Sequence, residues 1–284
     1  MIPQTIGIGV APELLPDCRP TYLMCPPRYY DVDYVINPWM VGNLNKSSRE
    51  RATEQWHHLR RSLAHVANVE LVEPQCGVPD MVFTANAGLY RGGTVVLSRF
   101  FHAERQGEEK HFRRRFCEAG FNIIDLPEAI YFEGEGDALF CSDGSRLWAA
   151  YGYRTSRESH QFLARTWNIE VVSLHLVDPR FYHLDTCFAP LSNDYLMYYP
   201  GAFDHASLAS VESFYPREKR IVVTEDDATH FACNVINVGR NIFLNDISRE
   251  LTSQLESLGF HVYPIALSEF IKAGGAAKCL VMGF

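Results

Sequence analysis

The chain carries its reactive residue types at nearly constant separations. Cys279 lies in the C-terminal stretch GGAAKCLVMGF, behind Gly274 and Gly275. Glycines permit backbone shapes that a side chain would forbid, so Cys279 is expected on a tight turn just ahead of a final strand. A thiol with an imidazole and carboxylates nearby is the equipment of covalent catalysis. The thiol is mostly protonated near neutrality and needs a base or a cation to become the thiolate. His183 ionises in the working range, so it can move that proton and later activate water. Glu133 can orient His183 or hold a cationic substrate. Asp80, in a Pro-Asp turn, can accept hydrogen bonds from a planar cation. Asp185, two residues beyond His183 and on the same side of an expected strand, can do the same. Singly, each has a plainer reading. A free cysteine is commonly a buried structural one, and Glu133 and Asp137 among glycines suit an ordinary turn.

The spacing outweighs those plainer readings. Asn86 to Glu133 is 47 positions, Glu133 to His183 is 50, His183 to Cys233 is 50, and Cys233 to Cys279 is 46. A fixed period of that length signals a repeat architecture. Around each landmark the same grammar recurs: a strand-like run, a polar turn, a second strand and a helix. Strands are expected at Thr21–Cys25, Val69–Val72, Thr94–Leu97, Phe121–Leu126, Leu147–Ala150, Val171–Leu174, Tyr195–Tyr199, Arg220–Thr224, Asn241–Leu244 and His261–Ile265. Helices are expected to follow the capping-box spacings Ser47/Glu50 and Thr155/Glu158, over Glu109–Glu118 with Gly120 as its stop, around Ser207–Phe214, and over Ser248–Leu258 before Gly259. Ala52, Trp56, Leu59, Leu63 and Val66 share one helical face. Five such units would form one α/β domain with internal pseudo-symmetry, each equivalent turn facing a central axis. Asn86, Glu133, His183 and Cys279 would then converge.

Composition narrows the partners. The 284 residues carry 26 basic and 34 acidic side chains, a net charge of −8 with no Lys/Arg run. That argues against nucleic acid or an anionic membrane and suits a small cationic substrate. Eight cysteines are scattered without a CxxC pair, and neither HxH nor HExxH occurs, so neither a zinc site nor any other metal is expected. No GxGxxG or GxxxxGK[ST] is present, and no cofactor is expected. Residues 1–20 read as an N-terminal extension without the apolar core of a signal peptide, and 21–284 as the catalytic domain. The protein is therefore expected in the cytoplasm, its thiols reduced. A homo-oligomer is compatible with this composition.

PDMVFTANAG, FEGEGD, FYHLDT and the terminal GGAAKC resemble the guanidine-modifying superfamily, the penteins, which includes arginine deiminase, glycine amidinotransferase and dimethylarginine dimethylaminohydrolase. DVDYVINPWM, SRFFHAERQGEE, YHLDTCF, YYPGAFD, FACN and KAGGAAKCL are similar, more narrowly, to arginine dihydrolases. The resemblance covers Thr21 to Phe284. It implies a five-fold pseudo-symmetric α/β propeller with Cys279 as nucleophile, His183 as general acid/base and Glu133 as catalytic carboxylate. It further implies Asp80 and Asp185 on the guanidinium nitrogens, and Arg105 and Arg154 on the substrate carboxylate, where bidentate pairing gives the role a physical basis. The motif around Glu133 has an extra residue relative to the deiminases, which makes Glu135 a rival.

A second departure bears on the reaction. The deiminases have an aspartate where this chain has Asn86. An amide both donates and accepts hydrogen bonds, so it can retain the ureido group of citrulline for a second attack by Cys279. Asn37 would be a second such amide. The reading is an arginine dihydrolase acting on L-arginine through covalent intermediates, giving ornithine, carbon dioxide and two ammonia. The alternatives are a deiminase that stops at citrulline, a transfer to an amine acceptor, and a catalytically silent guanidino-ligand sensor.

Overall fold

The computed structural model describes residues 19–284. The expected extension over 1–20 lies outside them but for its last two residues. In chain order, β1 (Thr21–Met24), α1 (Arg49–Leu63) and β2 (Asn68–Leu71) come first. They are followed by β3 (Gly88–Arg91), β4 (Thr94–Leu97), α2 (Ala103–Gln106), α3 (Glu109–Glu118) and β5 (Asn122–Ile124). Next are β6 (Ala138–Phe140), β7 (Arg146–Tyr151), α4 (Glu158–Trp167) and β8 (Glu170–His175), then β9 (Phe188–Leu191), β10 (Tyr195–Tyr198), α5 (His205–Phe214) and β11 (Arg220–Val222). The last segment holds α6 (Glu225–Thr229), β12 (Ile236–Val238), β13 (Asn241–Leu244), α7 (Arg249–Ser257), β14 (His261–Pro264), α8 (Ser268–Ile271) and β15 (Met282–Gly283).

These strands form five three-stranded sheets. In each, an antiparallel pair is extended by a third strand running parallel to the central one, as in β6–β7–β8. The parallel step needs a crossover, which the long helix of each unit provides. One sheet is closed by the two ends of the domain: β15 pairs antiparallel with β1, Leu23 opposite Met282, and β1 runs parallel to β2. This is the five-bladed α/β propeller that the resemblance implied, built on the five-unit repeat that the period implied. Among the described residues, no helix is long and apolar enough to cross a membrane.

The apolar core lies in wedges between sheets and helices. Trp56, Phe83 and Phe270 fill one, Trp148, Phe181 and Phe188 another, Phe112 and Phe116 a third, and Phe132 with Leu163 a fourth. The buried stripe of α1 is Ala52, Trp56, Leu59 and Leu63, four of the five residues expected on that face. Val66 falls beyond the helix end and packs at the edge of the same wedge.

Two helix starts differ from the capping-box reading. The cap of α1 is Ser48, whose hydroxyl accepts from Arg51 N, because the buried Glu269 holds Ser48 N at 2.8 Å and sets the helix one residue later. Helix α4 begins at Glu158 with no side-chain cap, since the Thr155 hydroxyl is engaged elsewhere, on Asp137 and Glu133.

The blades close tightly around the axis at Gly134. Its φ is +62°, and a Cβ there would lie 2.7 Å from both Ala85 O and Gly88 O. Gly134→Ala is expected to lower stability by more than ~1–2 kcal/mol, the cost of the left-handed backbone alone, read as a drop in the urea midpoint at unchanged slope.

Candidate active site

Five short turns meet at the axis, each just ahead of the inner strand of its blade. Asn86 lies in the 3₁₀ turn Thr84–Ala87, Glu133 and His183 immediately precede the turns Gly134–Gly136 and Leu184–Thr186, and Cys279 lies in Lys278–Leu280. The remaining turn ends at Asn234. Hydrogen bonds run from one turn to the next: Asn86 Nδ2 to Glu133 O (3.2 Å), Leu184 N to Asp137 Oδ1 (3.2 Å), Asn234 Nδ2 to Asp185 O (3.1 Å), Cys279 N to Asn234 Oδ1 (3.1 Å) and Thr84 Oγ1 to Leu280 O (3.0 Å). The ring is so close that a Cβ on Gly136 would lie 2.2 Å from Asn86 Nδ2. Buried backbone and amide groups must find partners, and here the partners are the neighbouring turns.

His183 sits between two carboxylates. Glu133 Oε2 is 3.2 Å from its Nε2 and Asp137 Oδ2 is 3.0 Å from its Nδ1. Burial opposes a charge on the ring, but Asp137 and Glu133 outweigh it and lift the pKa from 6.5 to about 9. Glu133 also accepts from Arg154 Nη1 (3.1 Å) and Phe101 N (3.2 Å). Burial would raise its pKa, yet Arg154 and His183 hold it well below the usual carboxylate range. Thr155 Oγ1 donates to Asp137 Oδ2 at 2.6 Å and accepts from Glu133 N, so one hydroxyl ties the Asp137 carboxylate to the Glu133 backbone.

Cys279 is 4% exposed, and Asn234 Nδ2 donates to its Sγ at 3.0 Å. The Sγ lies 3.4 Å from Asp185 Oδ2. Burial and the Asp185 carboxylate push the thiol well above its ordinary pKa, so it is neutral when nothing is bound. Burial likewise raises Asp185 to about 6, against the pull of His183 and Lys278. A cavity of about 10 Å³, roughly room for one water, is walled by Asp80, Asn86, His183 and Cys279, with Asn37, Arg105 and Arg154 around them. A larger cavity of about 130 Å³ approaches Asp185 from the far end, past Cys233 and Lys278.

The expected site residues thus come together, with four adjustments. Asp185 lies on a turn rather than a strand. Arg105, expected on a substrate carboxylate, is already bound bidentately by Glu108 (2.8 and 2.9 Å) and donates to Asn86 Oδ1 and Asp80 O. Arg154 is paired with Glu133, stacks on the Tyr182 ring and donates to Ile36 O. The Asn37 oxygen caps its own turn at Trp39 N and Met40 N while its amide holds Ala273 O. Its oxygen is therefore not free for a ureido group. Glu135 faces away, pairing with Lys278 and Gly283 N, which leaves Glu133 on His183.

Sequence reasoning passed over Asn234, Asp137, Thr155 and Glu108. The period falls on Cys233, one residue short of Asn234; Cys233 is buried and packs in the apolar core. An amide in FACN is a better candidate for a polar axis than a thiol, and that was the available signal.

Five buried carboxylates (Asp80, Glu108, Glu133, Asp137, Asp185) face three buried cations (Arg105, Arg154, His183). Asp80 Oδ1 and Asp185 Oδ1 have no hydrogen-bond partner among the described residues. The site therefore has a deficit of positive charge and of donors, which a planar cation would fill.

The raised pKa of His183 is a statement about stability. Its contribution is fully present below pH 6.5, the ordinary value, and is lost as pH rises through about 9. Urea unfolding of the wild type should lose on the order of 2–3 kcal/mol across that window, and His183→Asn should flatten that limb of the curve.

The model for N,N dimethylarginine dimethylhydrolase, eukaryotic, matches residues 21–284. The chain is 57% identical over 260 residues to the bifunctional arginine dihydrolase/ornithine cyclodeaminase ArgZ of Synechocystis sp. and 55% identical over 264 residues to its counterpart AgrE of Nostoc sp.. Those alignments cover 92% and 93% of this chain but only 37% and 38% of the relatives, so the chain spans under two fifths of their length. The substrate-bound N-terminal domain of ArgZ superposes with a TM-score of 0.92 at 56% identity, over 93% of this chain and 97% of that one. With its five-bladed fold and its thiol, imidazole and carboxylates on the axis, the chain belongs to the dimethylarginine dimethylhydrolase family of the guanidine-modifying pentein superfamily.

Proposed function

We propose that this chain is an arginine dihydrolase, converting L-arginine and two waters into ornithine, carbon dioxide and two ammonia. The observation that carries the reading is the pair of buried, unpartnered carboxylate oxygens on Asp80 and Asp185 beside the Cys279 thiol. An uncompensated buried carboxylate is costly. A guanidinium repays it with five N–H donors in one plane and sets its central carbon against the sulfur. The relatives' names and the substrate-bound ArgZ domain support the same substrate.

The chemistry follows from the charges. Bound cation next to Sγ offsets the Asp185 repulsion that keeps the thiol neutral, the thiol proton leaves to solvent, and the thiolate adds to the guanidinium carbon. His183, protonated at working pH, gives its proton to the departing nitrogen, which leaves as ammonia. Now neutral, His183 takes a proton from water as that water adds to the thiouronium carbon. Loss of the thiolate gives citrulline. Glu133 holds His183 throughout. Asn86 Nδ2 lies 3.5 Å from His183 Nε2, placed to donate to the ureido oxygen. A carboxylate at that position would repel the oxygen and favour release. Retained citrulline meets the thiolate a second time, and the same acid–base cycle carries it to ornithine, carbon dioxide and the second ammonia. No cofactor enters these steps. The seven free cysteines among the described residues support a reducing, cytoplasmic setting.

Product analysis tests this directly. Wild type should give ornithine with two ammonia per arginine and little free citrulline. Cys279→Ser should lower turnover by about a thousandfold or more, and Asn86→Asp should turn the main product into citrulline. Citrulline with one ammonia from wild type would make the protein a deiminase; no turnover of any guanidino compound would favour the sensor.

A second test concerns Asn234, whose amide holds Cys279 N, Ala276 N and Asp185 O as well as the sulfur. Asn234→Ala should cost ~2 kcal/mol or more of stability, the scale of leaving such groups buried without partners, and should lower kcat more than it raises KM.

A further inference from the structure

Glu108 touches neither the sulfur nor the imidazole, yet it is a costly residue to bury near them: a carboxylate with 0% exposure. Its partner is Arg105, itself 3% exposed, held through Nε to Oε1 at 2.8 Å and Nη2 to Oε2 at 2.9 Å. A buried ion pair of this kind is seldom a stability device, because apolar residues of similar volume usually do as well or better. Its geometric product is more informative.

With one edge of the guanidinium clamped by Glu108 and its face stacked on Phe100 at 4.5 Å, Arg105 has one direction left for Nη1. That direction meets Asn86 Oδ1 at 2.9 Å. Arg105 is a donor only, so the Asn86 amide must present its oxygen to the arginine. Its nitrogen is thereby turned to the other side, toward Glu133 O at 3.2 Å and the His183 ring at 3.5 Å. The amide plane is not free to flip while Arg105 is held.

We propose that Glu108 is a positioning residue that decides the fate of citrulline: by clamping Arg105 it fixes the Asn86 amide with its N–H groups toward the reacting carbon, so that the ureido group is held for the second attack. This rests on the dihydrolase reading above. The first attack, on a cation gripped by Asp80 and Asp185, does not need that donor. The second, on a neutral ureido group, does. Loosening Arg105 lets the amide turn, and an amide oxygen facing the ureido oxygen promotes release.

Glu108→Gln keeps the shape but sets an amide NH₂ against an arginine N–H. The ratio of free citrulline to ornithine during arginine turnover should rise about tenfold, the scale of losing one charge-assisted hydrogen bond. The KM for citrulline added from outside should rise in step, while the rate of the first ammonia changes far less. A merely structural role would slow both steps alike and leave the ratio where it was; that result would overturn the proposal. Should Glu108→Gln fail to fold, Phe100→Leu loosens the same guanidinium from its stacked face and must shift the ratio in the same direction, and an unshifted ratio there would overturn it equally. Wild type sets the reference: if it makes no ornithine, the dihydrolase reading falls first, and Glu108 has no partition to control.

Discussion

Everything at the centre of this molecule depends on one constraint. Five turns are packed so closely around an axis that each must satisfy its polar groups on its neighbours. The Asn86 amide reaches the carbonyl of Glu133, Asp137 reaches the backbone of Leu184, and Asn234 reaches both Asp185 and Cys279. Gly134 and Gly136 sit where the turns pass one another, with no space for a methyl group. The hydrophobic wedges lie outside this ring and hold it shut. The ring's interior, by contrast, is polar and buried, the environment in which electrostatic preorganisation is strongest.

The charge balance inside the ring explains both why the residues sit at unusual ionisation states and what they await. His183 keeps its proton to about pH 9 because two carboxylates surround it. Glu133 stays ionised because Arg154 and His183 both meet its Oε2. Cys279 is pushed the other way by burial and by the Asp185 carboxylate, and Asp185 by burial. On the function proposed above, a cation entering between Asp80 and Asp185 relieves part of that burial cost and activates the thiol in the same step. Until then burial and Asp185 keep the Cys279 thiol neutral.

Packing gives the two arginines a supporting role. Each was expected to meet a substrate carboxylate, and each is also held on a side chain at the axis: Arg154 on Glu133, and Arg105 on Asn86 through the clamp of Glu108. An arginine with five donors can serve a carboxylate of the protein and still line the cavity, so support and substrate contact are not exclusive. What packing adds is the order of dependence, in which the orientation of an amide rests on a carboxylate that does not line the cavity.

Much was legible in the sequence. The period near fifty residues placed Asn86, Glu133, His183 and Cys279 on equivalent turns, because a repeat repeats its turns. The extent of α3, the strands Thr94–Leu97 and Asn241–Leu244, and the apolar face of α1 followed from local periodicity, which the chain reads without help from distant contacts. Local pattern misplaced the caps at Ser47 and Thr155, since Glu269 and Asp137, far away in sequence, decide where those helices begin. It could not separate Glu133 from Glu135, since the difference is only which side of the ring each faces. Asn234, Asp137 and Glu108 emerged only when blades from across the chain closed on one axis. Residue type and spacing determined which chemistry was present; the hydrogen-bond partners, the ionisation states and the direction of one amide were decided by tertiary structure, because each depends on groups brought together from different blades.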